Sequence, residues 1–233
     1  MKLSVHVIVV LILALVPVAT LHAAGGSPGG GVSSAQQSQP RKTPEQLAVS
    51  RYNKGLKHRD KAANFELQAA VENNEKKVVK LQKKIAKEYK KAVADFQKAI
   101  KYNPDMYQAY GSLGYAYRKS GNYEDALQAY DTAIRLRSSY GEAIEYRGEA
   151  YLGLNRTEEA KQAYMKLFQN DRELADQLLV AMNDWVAARQ ADLNGADPTA
   201  VEQLAVWVNE RADLASYLPA PDTTTTDRWA QAR

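Results

Sequence analysis

The chain predicts an all-α array of stacked helical hairpins, and three observations predict it. The first is a register of small and aromatic residues at a step of 34. Ala92, Ala126 and Ala160 share it, as do Phe96, Tyr130 and Tyr164, and Ala99, Ala133 and Leu167. Gly114 pairs with Gly148 and Tyr117 with Tyr151 at the same step. The second is helical spacing of apolar residues: Val71, Val78, Ile85, Ala92 and Ala99 recur every seven positions. The third is punctuation by helix-ending pairs, Asn103-Pro104, Gly121-Asn122 and Asn194-Gly195. A unit of 34 residues is one helix–turn–helix. Such a unit cannot bury its apolar face alone and stacks on a copy of itself.

Taken in order, residues 1–24 read as a secretory signal peptide. Lys2 gives the positive start, and Ala23 and Ala24 offer small residues for cleavage. The apolar run Val5 to Val16 is short of the roughly 20 residues a spanning helix needs. An uncleaved anchor is the alternative. The chain has no Cys, which excludes lipid attachment through a thiol and disulfides alike. The localisation expected is the bacterial periplasm. Residues 25–44 are rich in Gly, Ser, Gln and Pro and read as a linker.

Residues 45–106 read as an extended first hairpin with a basic, coiled-coil-like arm. One step before Gly114 stands Lys80, where a small residue is expected. Gly55, 25 residues upstream, is the substitute, so the hairpin is expected to be longer by that insertion. Asn73-Asn74 is the place for a break or turn. Two regular hairpins follow over 107–174, then two capping helices over 175–217. In the latter, Asp197 is the N-cap and Pro198 the first turn. Trp185 and Trp207 lie on these helices and offer a dimer contact. Residues 218–233, with Pro219, Pro221 and a Thr run, read as a disordered tail carrying Trp229.

The pattern resembles the tetratricopeptide repeat family, of the exported bacterial type. The best copy runs from Tyr107 to Tyr140 and carries Tyr110, Leu113-Gly114, Tyr117, Gly121-Asn122-Tyr123, Ala126, Tyr130 and Ala133. The copy over 141–174 keeps Gly148, Tyr151, Ala160 and Tyr164, but places Arg147 in the column of Leu113 and lacks a closing Pro. The resemblance implies a superhelix of α-hairpins in which the first helix of each repeat lines a concave, partner-binding groove. Carried over by position, that groove is faced by Gln108, Gly111, Ser112, Tyr115 and Lys119, and by Glu142, Glu145, Glu149 and Leu152. The three glutamates are three and four apart and share a helix face, which suits a peptide bearing Lys or Arg. Gly111 and Glu145 occupy the column where some family members clamp a C-terminal carboxylate, so that specificity is not expected. Gly114, Tyr117, Ala126, Tyr130, Gly148, Tyr151, Ala160 and Tyr164 are expected to pack repeat on repeat. Eleven of the 14 tyrosines fall between 102 and 164, mostly in these columns; Tyr107, Tyr115, Tyr140 and Tyr146 are the better candidates for exposure.

Chemistry is not expected. His58 is the one histidine beyond the signal region, and without Cys there is no zinc set or nucleophile–histidine pair. The glycines of 25–31 lack the strand and Lys-Ser or Lys-Thr of a phosphate loop. No enzyme activity, metal or cofactor is therefore expected. The net charge of +4 hides a split. Residues 75–101 carry ten Lys against three acids, including the basic patch Lys76, Lys77, Lys80, Lys83, Lys84 and Lys87. Residues 171–217 carry nine acids against three Arg. The arm suits anionic lipid or an acidic partner, or simply solvates the helix, and the split invites self-association. Nucleic acid is a poor fit, because the patch lacks interleaved stacking aromatics. The function expected is a protein-binding adaptor of the envelope; the alternative is a membrane-surface role through the basic arm.

Overall fold

A computed structural model describes residues 42–217. Among the described residues there are eight helices and no strand. They are α1 (Pro44–Val71), α2 (Glu75–Tyr102), α3 (Tyr107–Lys119), α4 (Tyr123–Leu136), α5 (Gly141–Gly153), α6 (Thr157–Asn170), α7 (Arg172–Ala191) and α8 (Pro198–Tyr217). The expected signal peptide, nearly all of the expected linker, and the tail with Trp229 lie outside the described residues.

The helices pair in chain order as four hairpins: α1/α2, α3/α4, α5/α6 and α7/α8. First helices touch one another, α1 to α3, α3 to α5 and α5 to α7. Each second helix also packs on the first helix of the next hairpin, and α6 meets α8 where Tyr164 and Trp207 stand 5.1 Å apart.

Local signals explain where each helix begins and ends. At α1, Pro44 follows Thr43, whose hydroxyl accepts from the Gln46 amide at 3.3 Å while the Gln46 side chain accepts from the Thr43 amide at 3.1 Å. The seven-residue seam is interrupted over 72–74, where the Asn74 side chain caps α2 by accepting from the Lys77 amide at 3.1 Å. The seam thus folds back on itself as an antiparallel pair instead of continuing as one helix. The turn at Gly121 uses φ +78, and its counterpart one repeat later is Asn155 at φ 58. Asp197 accepts from the Thr199 amide at 3.2 Å and opens α8.

Gly55 does in the first hairpin what Gly114 does in the second. A Cβ at Gly114 would lie 2.6 Å from the Tyr130 ring, and one at Gly55 would lie 2.5 Å from the Phe96 ring. Gly114 and Tyr130 are 16 residues apart and Gly55 and Phe96 are 41 apart; the excess is the 25-residue extension. Gly148 departs from this pattern. The atoms nearest a Cβ built there belong to Leu178 of α7, at 2.6 Å, rather than to Tyr164. α7 itself starts at Arg172, three residues earlier than a further 34-step from Gly141 would place it. Of the other packing residues, Ala126, Tyr130, Ala160 and Tyr164 are fully buried, while Tyr117 and Tyr151 are half-buried. Arg147, out of pattern, spreads over the Tyr151 ring at 5.8 Å and reaches Asp131 at 2.6 Å.

Two carboxylates are buried between α1 and α2. Asp95 meets Arg51 at 3.3 Å and Lys54 at 3.4 Å; Glu88 meets His58 at 2.6 Å and Lys91 at 2.6 Å. Burial raises the Glu88 pKa, but hydrogen bonds from Lys91 and His58 outweigh it and hold the group below its usual range. At the other end, α7 and α8 close the core with Leu178, Met182 and Leu204. Trp185 is buried, and Trp207 stands edge-on to Tyr164 at 5.1 Å. Both indoles pack against core residues or rings of their own chain.

Gly55→Ala is expected to cost about 1–3 kcal/mol, because the new methyl group meets a ring that is itself fully packed. Adding Phe96→Leu should recover part of that loss. Urea unfolding of the two variants checks this; an unchanged midpoint for Gly55→Ala would contradict the close approach.

Candidate protein-binding groove

The first helices present a surface built mainly of tyrosine. Tyr115 of α3 and Tyr146 of α5 meet edge-to-face at 5.4 Å. Tyr115 continues to Tyr89 at 6.4 Å, and Tyr146 to Tyr130 at 6.3 Å. A second edge-to-face pair, Tyr107 and Tyr140, stands 5.1 Å apart. Gly111 makes room for it: a Cβ there would lie 2.6 Å from the Tyr140 ring. The four tyrosines expected to be exposed are half-buried, because each leans on another. Such rings bring contact area with few torsions left to freeze on binding.

Two clefts open along this surface. One, of about 340 Å³, lies between Arg59, Asp60 and Ala63 of α1, Gly111, Ser112 and Tyr115 of α3, Tyr146 of α5 and Tyr140 just before α5. Ser112 is buried at its floor and donates to the Tyr52 hydroxyl at 3.4 Å. The other, of about 400 Å³, lies further along the helices. It is lined by Arg118, Lys119, Glu149, Leu152, Trp185 and Arg189 among others.

The charges along the groove are paired within the chain. Arg118 forms an ion pair with Glu149, and its guanidinium lies 5.3 Å over Tyr115 and 4.9 Å over Tyr146. Lys119 meets Glu66 at 3.0 Å, and the Tyr89 hydroxyl donates to Glu66 at 3.1 Å. Glu145 is buried, and one of its oxygens has no hydrogen-bond partner. Burial, with the neighbouring Glu149 charge adding to it, pushes the Glu145 carboxyl up to about 8. Burial also raises the Tyr140 and Tyr146 hydroxyls. Gln108 is half-buried and Glu142 is exposed.

The three glutamates of α5 do share a side of the helix, yet they are not three free anions. Glu142 is exposed, Glu149 is paired with Arg118, and Glu145 is buried with its pKa raised by that burial. Of the three, Glu142 alone stands as an exposed carboxylate. Arg118, Arg59, Asp60, Tyr140 and Tyr146 were not among the groove residues expected. The basic patch is exposed throughout; Lys77 meets Glu72 at 3.5 Å and Lys84 lies 5.1 Å over Phe65.

The tetratricopeptide repeat family model matches residues 86–141 and, overlapping, 113–172. Over residues 86–172 the chain is thus similar to tetratricopeptide repeats. The match begins inside α2, which agrees with the second half of α2 acting as the second helix of a repeat whose first helix is α1. Repeats of this family generally serve non-catalytic protein interaction. No curated protein matches the chain. Among solved structures, the crystal structure of MamA protein matches at 21% identity with a TM-score of 0.37, covering 75% of this chain and 98% of that one. Among the described residues no cluster of His, Asp or Glu is arranged to hold a metal, and no helix is long and apolar enough to cross a membrane.

Glu145 makes the groove pH-sensitive in a defined direction. Its pKa is raised in the folded state, so the stability it contributes is fully present below about 4.5 and is lost as pH rises through about 8. Glu145→Gln cannot ionise. Thermal melts between pH 5 and 9 should show the variant gaining about 1–3 kcal/mol on the parent at the alkaline end. Parallel curves would contradict the buried, protonated carboxyl.

Proposed function

We propose that this chain is a non-enzymatic adaptor of the bacterial cell envelope, exported to the periplasm, that holds a protein or peptide partner along α1, α3 and α5. The observation that carries the reading is the pair of edge-to-face tyrosine couples set across neighbouring repeats beside an open cleft. Rigid, amphipathic rings in a partly desolvated groove are the usual anchors of protein recognition. With Glu149 paired to Arg118 and Glu145 buried, the groove favours an apolar or aromatic segment over a strongly cationic one.

A second reading is favoured by the tip of the first hairpin. Leu67 and Val71, beside the turn over 72–74, are 70% and 79% exposed, and the basic patch begins just beyond it. Apolar residues next to lysines suit an anionic lipid surface. This reading ranks second because it leaves the tyrosine groove without a role.

A photo-crosslinking residue introduced at Gln108 or Glu142, on the first helices, should capture a partner from an envelope extract of the source organism. The same probe at Gln128, exposed on α4, should not. Equal capture from Gln128 would overturn the groove reading. Loss of vesicle flotation on charge reversal at Lys83, Lys84 and Lys87, with groove capture unchanged, would favour the second.

A further inference from the structure

The fold separates the two charge blocks more completely than composition suggests. Nine of the ten lysines between 75 and 101 are exposed, and Lys91 is half-buried against Glu88. Two of the three acids in that stretch are turned inward, Asp95 onto Arg51 and Lys54 and Glu88 onto His58 of α1. The C-terminal hairpin does the reverse. All nine of its carboxylates between 171 and 217 are exposed. Its three cations are half-buried and folded onto rings: Arg172 at 3.8 Å over Phe168, Arg189 at 5.7 Å over Trp185, and Arg211 at 4.9 Å over Trp207. One end of the stack is thus basic on its outside and the other acidic.

Both ends also expose valine among those charges. Val180 of α7 is 62% exposed, with Asp176 and Asp184 one turn to either side. Val206 of α8 is 50% exposed, with Glu202 and Glu210 in the same places. On α2, Val79 is 48% exposed, between Lys76 and Lys83. The flanking charges are seven or eight residues apart in each case. At 1.5 Å of rise per residue that is about 11–12 Å, so the stripes match in spacing and oppose in sign. The basic stripe is also free to be reached. α2 has 28 residues against 14 in α4, and the α3/α4 turn lies beside Gln82 and Ile85, so Lys76 and Val79 stand beyond it.

We propose that the occupant of these surfaces is a second copy of this chain, the acidic α7/α8 hairpin of one molecule seating on the basic, projecting part of α2 of the next. Charge complementarity commits the contact to a partner with acids and apolar residues alternating at one-turn spacing, and the far end of the same chain supplies it. The contact is heterologous: a pair keeps one free end of each sign, so copies add head to tail unless the rotation closes a ring. This goes beyond the groove reading, which does not depend on it.

The test is a charge swap in the purified protein. One variant carries Asp176→Lys, Asp184→Lys and Glu202→Lys; the other carries Lys76→Glu, Lys80→Glu and Lys83→Glu. None of these six side chains makes an ion pair in the structure within its own chain. Helicity measured by circular dichroism should therefore be kept. Sedimentation velocity of the parent at low salt should show species larger than a monomer, which shrink as salt shortens the screening length from about 30 Å at 0.01 M to about 8 Å at 0.15 M. Each variant alone should associate roughly tenfold or more weakly, since like charges then face one another. The two mixed should associate again, because every contact in an alternating chain is once more between opposite charges. A parent that stays monomeric at every salt overturns the proposal. So does a mixture that fails to recover, or a parent that is monomeric yet floats with phosphatidylglycerol vesicles, which would assign the basic stripe to lipid.

Discussion

The stack depends on one constraint: paired helices must approach closely enough for an aromatic ring to rest on backbone. Gly114 meets that demand under Tyr130 and Gly55 meets it under Phe96. With a side chain at either position the ring would be lifted, and the neighbouring helix with it. Everything further out follows from that distance. Ala92, Ala126 and Ala160 are fully buried because the helices have already been drawn together. The tyrosines of the groove meet edge-to-face because neighbouring first helices lie side by side.

The buried charges of the first hairpin serve the same approach by another means. Glu88 and Asp95 lie on α2 in positions where a regular seam would carry apolar residues, and Arg51, Lys54 and His58 of α1 cover them. A buried acid with its partner removed is strongly destabilising, so these groups tie α1 to α2 in one register rather than adding much net stability. Register needs such a device here. The first hairpin is long and α1 is rich in polar residues, so apolar packing alone specifies its alignment weakly.

Most of the fold was legible in the chain because the repeat writes the same contact several times. The step of 34 exposed Gly114, Tyr130, Ala126 and their copies together, and a gap in the column at Lys80 pointed to Gly55. The groove was legible only in outline. Position along a repeat tells which side a residue faces, so Ser112, Tyr115 and Glu145 were found. It does not tell what a side chain pairs with. Arg118 and Glu149 are 31 residues apart, a spacing with no local meaning, and only the packing of α3 on α5 brings them together. The pairing of Glu149 was invisible for that reason. The early start of α7 was likewise hidden, since no glycine or aromatic column continues past 175 to reveal the shift of register.

The unequal length of the hairpins bears on how the molecule comes apart. In a stack of near-identical units, stability is shared between each unit and its neighbours, and opening begins where the sum is smallest. Here α1 and α2 have 28 residues each, against 13 or 14 in the helices of the next two hairpins and 20 in α7 and α8, and the first hairpin holds its ionic ties internally. Each end of the array has a neighbouring hairpin on one side only: α1/α2 adds ionic ties inside the hairpin, and α7/α8 shares an apolar core with α5 and α6.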